Sequence, residues 1–243
     1  MLKVTATSGF GAGSSEITDE FFSNVKGLWH MNGSDADTSG AGFADSSGNS
    51  HTLTAVANAQ IDTAQYKFGG SSMLFDGTGD LVSAVDHADW DLLTNDFTLE
   101  CWVRLASDVT GTFFGQWAGG DPRHYFIYNA SVSKLEFSCR VVSDIRSTAT
   151  WTPSVDTWYH IAMTRDSANI RFFIDGTQLG STDTSIGSTS IPAEAAAFTL
   201  GAYDVSAPTG SELNGWIDEA RVTIGTARYT SNFTAPTDPF PDK

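Results

Sequence analysis

Eight segments of this chain alternate apolar and polar residues with a period of two, and turn-forming residues bound each of them. They are SSMLFDG (71–77), FTLECWVRL (97–105), HYFIYNA (124–130), KLEFSCRV (134–141), TWYHIAMTR (157–165), NIRFFIDG (169–176), AFTLGAY (197–203) and GWIDEARVTIG (215–225). Aromatic and β-branched residues dominate these runs, and successive side chains on a strand point to opposite faces. Each run therefore presents an apolar face that must be covered. The strongest turn signals are Asp76-Gly77 and Asp175-Gly176, because Asp-Gly supplies the positive φ angles of tight hairpins. No amphipathic helix longer than about two turns is evident. Many antiparallel strands at this spacing bury their faces as two packed sheets or as a barrel. The expected fold class is all-β, a two-sheet antiparallel jelly-roll sandwich.

The length of 243 residues fits one such domain, and 40% apolar with 12% aromatic content can supply its core. Charge narrows the partners. Thirteen Lys+Arg against 29 Asp+Glu give 13 − 29 = −16. So few cations argue against neutralising nucleic-acid phosphates or docking on anionic lipid. No segment reaches the roughly 18 apolar residues of a membrane span. The acids are 22 Asp and only 7 Glu, a bias toward turns, caps and hard-cation sites.

The opening MLKVTATSGFGAGSSE has no apolar signal-peptide core, so synthesis and release in a cytoplasm are expected. Residues 1–26 read as an N-terminal arm. LKVTAT alternates as a short strand, SGFGAGSS is rich in small residues, and ITDEFFSNVKG suits one or two helical turns capped by Thr18. The arm either attaches the domain at 27–243 to something else or adds an edge strand to it. Cys101 and Cys139 fall on the apolar faces of their runs. They read as small buried hydrophobes, with a disulfide open if the two strands are neighbours.

Three groups of residues carry candidate chemistry. The loop NGSDADTSGAGFADSSGN places Asn32, Asp35, Asp37 and Asp45 close in sequence, and such oxygen-rich loops suit Ca²⁺. Solvated turn aspartates are the alternative. The loop GQWAGGDPRHYFIY offers Trp117, Arg123, His124 and Tyr128 for a glycan: aromatic faces for sugar C–H surfaces, polar groups for hydroxyls. The alternative has Trp117 covering a core edge and Arg123 pairing with Asp121. Hydrolysis of a glycoside needs two carboxylates a few ångströms apart. Glu100, Glu136, Glu194, Glu212 and Glu219 lie far apart in sequence, and adjacent Asp218 and Glu219 point to opposite faces. His160 reads as a satisfied sheet residue, and there is no G-x-S-x-G elbow or phosphate-cradling loop. No catalytic residue is assigned.

Four segments in order resemble the concanavalin A-like, laminin G-like jelly-roll domains: residues 28–54, 67–105, 157–180 and 200–241. The closing IDEARVTIGTARYTSNFTAPTDPFP looks most like copies in tailed-bacteriophage proteins and large bacterial surface proteins. The resemblance implies a structural Ca²⁺ held by an early-loop residue, a backbone carbonyl and an Asp of the last strand. Asn32, where relatives often carry Asp, and Asp218 match those positions, with Asp45 beside them. Concanavalin A-like glucanases carry Glu-x-Asp-x-x-Glu on one strand, and that spacing is missing here. The expected function is a non-catalytic virion surface or tail protein that binds host-surface glycans and docks to other virion proteins through its arm. As a virion protein it would be a homo-oligomer assembled in the host cytoplasm, with no nucleic-acid partner and no membrane insertion. A decoration protein without a glycan ligand and a glycan-active enzyme domain remain the alternatives.

Overall fold

Two antiparallel sheets pack face to face in the computed structural model, which describes residues 18–140, 143–206 and 210–243. One sheet runs in the order β13 (Thr177–Asp183), β12 (Asn169–Ile174), β11 (Trp158–Asp166), β6 (Phe97–Leu105), β15 (Asn214–Ile224), β4 (Ser72–Asp76) and β3 (Gln60–Asp62). An eighth strand, β1 (Val25–Trp29), pairs with the second half of β15, beside the stretch that pairs with β4. The other sheet runs β10 (Asp144–Thr150), β9 (Lys134–Arg140), β8 (Arg123–Asn129), β7 (Gly111–Gln116), β14 (Phe198–Gly201), β5 (Leu81–Ala84) and β2 (Thr54–Val56). This is the expected all-β sandwich.

The core lies between the sheets. β6 contributes Phe97, Leu99, Cys101, Val103 and Leu105, and β9 contributes Leu135, Phe137 and Cys139 from the opposite side. Cys101 and Cys139 are therefore buried on facing sheets, and both are free thiols. Asp175-Gly176 forms the expected tight turn between β12 and β13, with φ of 49° and 79°. Asp76-Gly77 does something else. It joins β4 to β5, which lie in different sheets, so it is a crossover and not a hairpin. Buried Asp80 organises that crossover by accepting the backbone N–H groups of Asp76 (2.8 Å) and Asn58 (2.7 Å).

The outer face of the eight-stranded sheet is also buried, which simple alternation did not anticipate. The chain beyond β15 folds back over it. Tyr229 and Phe233 stack at 3.5 Å, Phe233 meets Phe173 at 5.4 Å, and Phe240 lies under the Arg221 guanidinium at 3.9 Å. A polar network sits beneath this roof. Glu100 accepts from Arg221 (Nε 2.9 Å, Nη2 2.8 Å), from the Tyr229 hydroxyl (2.8 Å), and faces His160 Nε2 at 3.1 Å. Asp19 bridges Arg221 (3.1 Å) and Arg228 (2.9 and 2.6 Å). Residues 18–24 are thus tied to the domain. In place of an α-helical turn capped by Thr18 they form a 3₁₀ turn at Phe22–Asn24 leading into β1. The rest of the expected arm, residues 1–17, lies outside the described residues.

Candidate functional site

The outer face of the seven-stranded sheet carries a column of aromatic rings. Trp117, just after β7, stacks on Tyr203 at 5.2 Å between ring centres, and Tyr203 stacks on Tyr125 of β8 at 4.7 Å. The interplanar angles are 25° and 22°. Local sequence explains how Tyr203 comes to lie on the sheet. A Cβ at Gly115 would sit 2.5 Å from the Tyr203 Cα, so only glycine lets the segment after β14 approach β7 so closely. That segment is pinned by the Val205 N–H donating to the Trp117 carbonyl (3.1 Å) and by Asp204 accepting the Ser206 N–H (2.9 Å).

The column has a charged end. The Arg123 guanidinium lies 4.9 Å over the Trp117 ring, a cation–π arrangement. Arg123 also pairs with Asp121 (3.0 Å) and Asp144 (3.1 Å), Arg140 with Asp121 (3.0 Å), and Arg146 with Glu136 (3.4 Å) and Asp144 (3.6 Å). Three of the eight arginines in a chain of charge −16 thus gather beside one aromatic column. The Trp117 indole N–H donates to the Gly120 carbonyl, which folds the exposed 118–121 loop back over its own tryptophan. Chemically, the site offers flat apolar rings flanked by guanidinium donors and carboxylate acceptors in fixed positions.

Sequence reasoning placed four residues here; the structure brings two of them to the column, with Arg123 also making the Asp121 pair of the alternative reading. Trp117 and Arg123 are in the site. His124 and Tyr128 are not. They share the inward phase of β8 with Phe126, and both are buried in the sandwich. The Tyr128 hydroxyl donates to Asp108 (2.7 Å). Both ring nitrogens of His124 lack a hydrogen-bond partner among the described residues, and burial pushes its pKa down to about 4. Tyr125, one residue out of phase, is the tyrosine of β8 that reaches the outer face. Tyr203 was missed because its side chain enters from a loop that follows a different strand.

His124 yields a prediction. A neutral imidazole with two unpaired nitrogens is costly to bury, so His124→Leu should stabilise the protein by about 1–3 kcal/mol at neutral pH. The folded-state pKa lies below the unfolded value of 6.5, so the wild type loses stability as pH falls through 6.5 toward about 4. Urea titrations of both proteins at pH 5 and pH 7.5 check this. The variant's advantage should be larger at pH 5, and an advantage that shrinks there contradicts the assignment.

The three expected metal ligands also separate. Asp45 is fully committed to its own loop. Its carboxylate accepts the N–H groups of Leu28 (3.0 Å), Ser47 (2.8 Å) and His51 (2.9 Å) and the Ser47 hydroxyl (2.8 Å). It is a loop organiser, not a free ligand. Asn32 and Asp218 meet at one place, the segment 67–70. Asp218 Oδ2 accepts the N–H groups of Lys67 (2.8 Å) and Phe68 (3.0 Å), and Asn32 Oδ1 lies in the space a Cβ on Gly69 would fill. Asp218 Oδ1 is buried with no partner among the described residues, and burial raises the pKa of the group to about 7.

Comparison with known proteins follows this geometry. A family description, the concanavalin A-like lectin/glucanases superfamily, matches residues 76–225. No curated protein matches the sequence significantly. Among solved structures, domain 4 of AbnA, a GH43 extracellular arabinanase from Geobacillus stearothermophilus in complex with arabinotriose, superposes with a TM-score of 0.60 at 18% identity, covering 84% of this chain and 94% of that one. The binding domain of Paraclostridial Mosquitocidal Protein 1 gives 0.64 at 13% identity, covering 86% of this chain and 51% of that one. A botulinum neurotoxin type C structure, from work on cell entry through two ganglioside molecules, gives 0.61 at 13% identity, covering 84% and 48%. This chain thus spans about half the length of the two toxin chains.

Proposed function

Because the chain belongs to the concanavalin A-like lectin/glucanase superfamily, we propose that it is a non-catalytic lectin domain binding host-surface glycans through the Trp117–Tyr203–Tyr125 column. The observation that carries this reading is the column itself, with Arg123 over its Trp117 end. Rigid aromatic surface flanked by fixed polar groups is the composition of a sugar site, in which few side chains lose freedom on binding. The arabinotriose complex and the ganglioside-dependent toxin lend support, since related folds there meet carbohydrate. A non-catalytic role is supported by the acids around the column, Asp121, Asp144 and Glu136, each of which is held by arginine. Glu100 is sealed under the C-terminal roof. The closing segment's likeness to phage proteins supports a setting on a virion surface or tail. A glycan array probed with the full chain tests the reading. Binding to host-surface glycans, lost in Trp117→Ala, is expected, and silence on every host glycan overturns it.

The reading includes a structural Ca²⁺ at Asp218. A buried carboxylate with one orphaned oxygen, whose other oxygen is held by the segment that Asn32 also touches, is a fit for a hard cation. Asp218 Oδ1 and Asn32 Oδ1 would be its side-chain ligands. In metal-free protein, ionised Asp218 is penalised, because its folded pKa of about 7 exceeds the unfolded value near 3.8. Wild-type stability contributed by this group is therefore lost as pH rises from about 4 to about 7. With chelator present, the melting temperature of Asp218→Asn should rise relative to wild type across that window and then level off. Calcium should stabilise wild type and leave Asp218→Asn unmoved. An identical calcium response in both proteins removes the site.

A further inference from the structure

Outside the aromatic column, the 45–51 loop and the turn before Trp90 bring two imidazoles and a carboxylate to one point. Asp89 Oδ2 lies 2.8 Å from His51 Nε2 and 3.1 Å from His87 Nδ1, and the three donor atoms all lie within 4.8 Å of one another. In a tetrahedral zinc site with bonds of about 2.0–2.1 Å, neighbouring donors stand about 3.3 Å apart. The two pairs that include Asp89 thus need to open by only about 0.5 and 0.2 Å to reach that spacing.

The donors are held ready. Asp45 accepts the His51 N–H (2.9 Å), the Trp29 indole donates to the His51 carbonyl (2.8 Å), and the His51 ring packs on Trp90 at 4.5 Å. Such outer contacts orient a metal-binding imidazole. His87 Nδ1 accepts the Asp89 backbone N–H at 3.1 Å, which puts its lone pair on the side of the carboxylate. An imidazole lone pair then faces a carboxylate oxygen at 3.1 Å, an arrangement that a cation between them resolves. Lys26 Nζ is 3.5 Å from Asp89 Oδ1, the other oxygen of the carboxylate, and Asp86 and Asp91 add negative charge around His87.

We propose that His51 Nε2, His87 Nδ1 and Asp89 Oδ2 form a three-ligand site for a borderline divalent transition metal, Zn²⁺ in the first place, with a fourth position open to water. Two imidazoles and one carboxylate favour Zn²⁺ over Ca²⁺, which takes oxygen ligands in larger number. The site is separate from the calcium position, which uses neither histidine. For zinc to bind, the neutral His51 ring carries its proton on Nδ1, leaving the Nε2 lone pair for the metal, and His87 gives the metal the Nδ1 lone pair that otherwise accepts the Asp89 N–H.

Calorimetric titration of the EDTA-stripped full chain with Zn²⁺ alone tests this. One equivalent should bind and raise the melting temperature. His87→Gln and Asp89→Asn should each weaken zinc binding by more than about tenfold, at least the loss that follows removal of an outer partner. The His87 side chain is 55% exposed, so His87→Gln should still fold, and its metal-free melting temperature is taken alongside to separate any lost cap on the Asp89 N–H from lost zinc binding. No binding of Zn²⁺ to wild type overturns the proposal. So does zinc binding undiminished in both variants, which would place the metal on other histidines.

Discussion

Arg221→Ala should lower the stability of the folded protein by about 3–5 kcal/mol, the loss expected when one partner of a buried ion pair is removed. The side chain is 4% exposed and bridges two acids, Glu100 at 2.8 Å and Asp19 at 3.1 Å, while its plane lies over Phe240. Removing it leaves Glu100, itself fully buried, with the hydroxyl of Tyr229, His160 and a more distant Arg228 as its remaining partners. Those cannot replace two charge-assisted hydrogen bonds to a carboxylate that is fully buried. The pair Glu100→Gln with Arg221→Met should recover part of the loss, because an uncharged residue at both positions leaves no orphaned charge at 100, and the Gln amide can still hydrogen-bond Tyr229. Urea unfolding of the three proteins checks this. A loss below about 1 kcal/mol for Arg221→Ala, the range of exposed pairs, would mean that the C-terminal roof does not seal the network.

The sandwich was legible because its long strands obey one rule. FTLECWVRL became β6 residue for residue, and the alternation in KLEFSCRV put Leu135, Phe137 and Cys139 inward. What escaped was short or already polar. β2 and β3 have three residues each, too few for a period to register, and β10 (DIRSTAT) has no apolar alternation strong enough to announce it. The second buried face was illegible for a different reason. Thr98, Glu100 and Trp102 look like a solvated face. Thr98 and Glu100 are made interior by the distant segment 226–243, and Trp102 on the same face by Lys67 and Phe68. Alternation reports which residues share a face, not what covers it.

The candidate site shows the same limit at single residues. Trp117 and Arg123 were readable as an aromatic and a cation in a glycine-rich loop. Choosing Tyr128 over Tyr125 was an error of phase, and the inward Phe126 between His124 and Tyr128 already contained the correction. Tyr203 was beyond reach, since its place depends on the close approach that Gly115 permits. Yet Tyr203 is the middle ring of the column, and its loss should remove support from both neighbours. Truncating such an anchor costs about 2 kcal/mol or more of binding energy, a weakening of about thirtyfold. Tyr203 is a partly exposed side chain outside the hydrophobic core, so its removal should leave the fold intact. The decisive measurement is therefore the dissociation constant of one host-surface oligosaccharide for wild type, Tyr203→Ala and Trp117→Ala, with melting temperatures taken alongside. The account predicts losses of about thirtyfold or more in both variants at unchanged melting temperature. Wild-type affinity retained in both would place glycan recognition, if the protein has any, on another face.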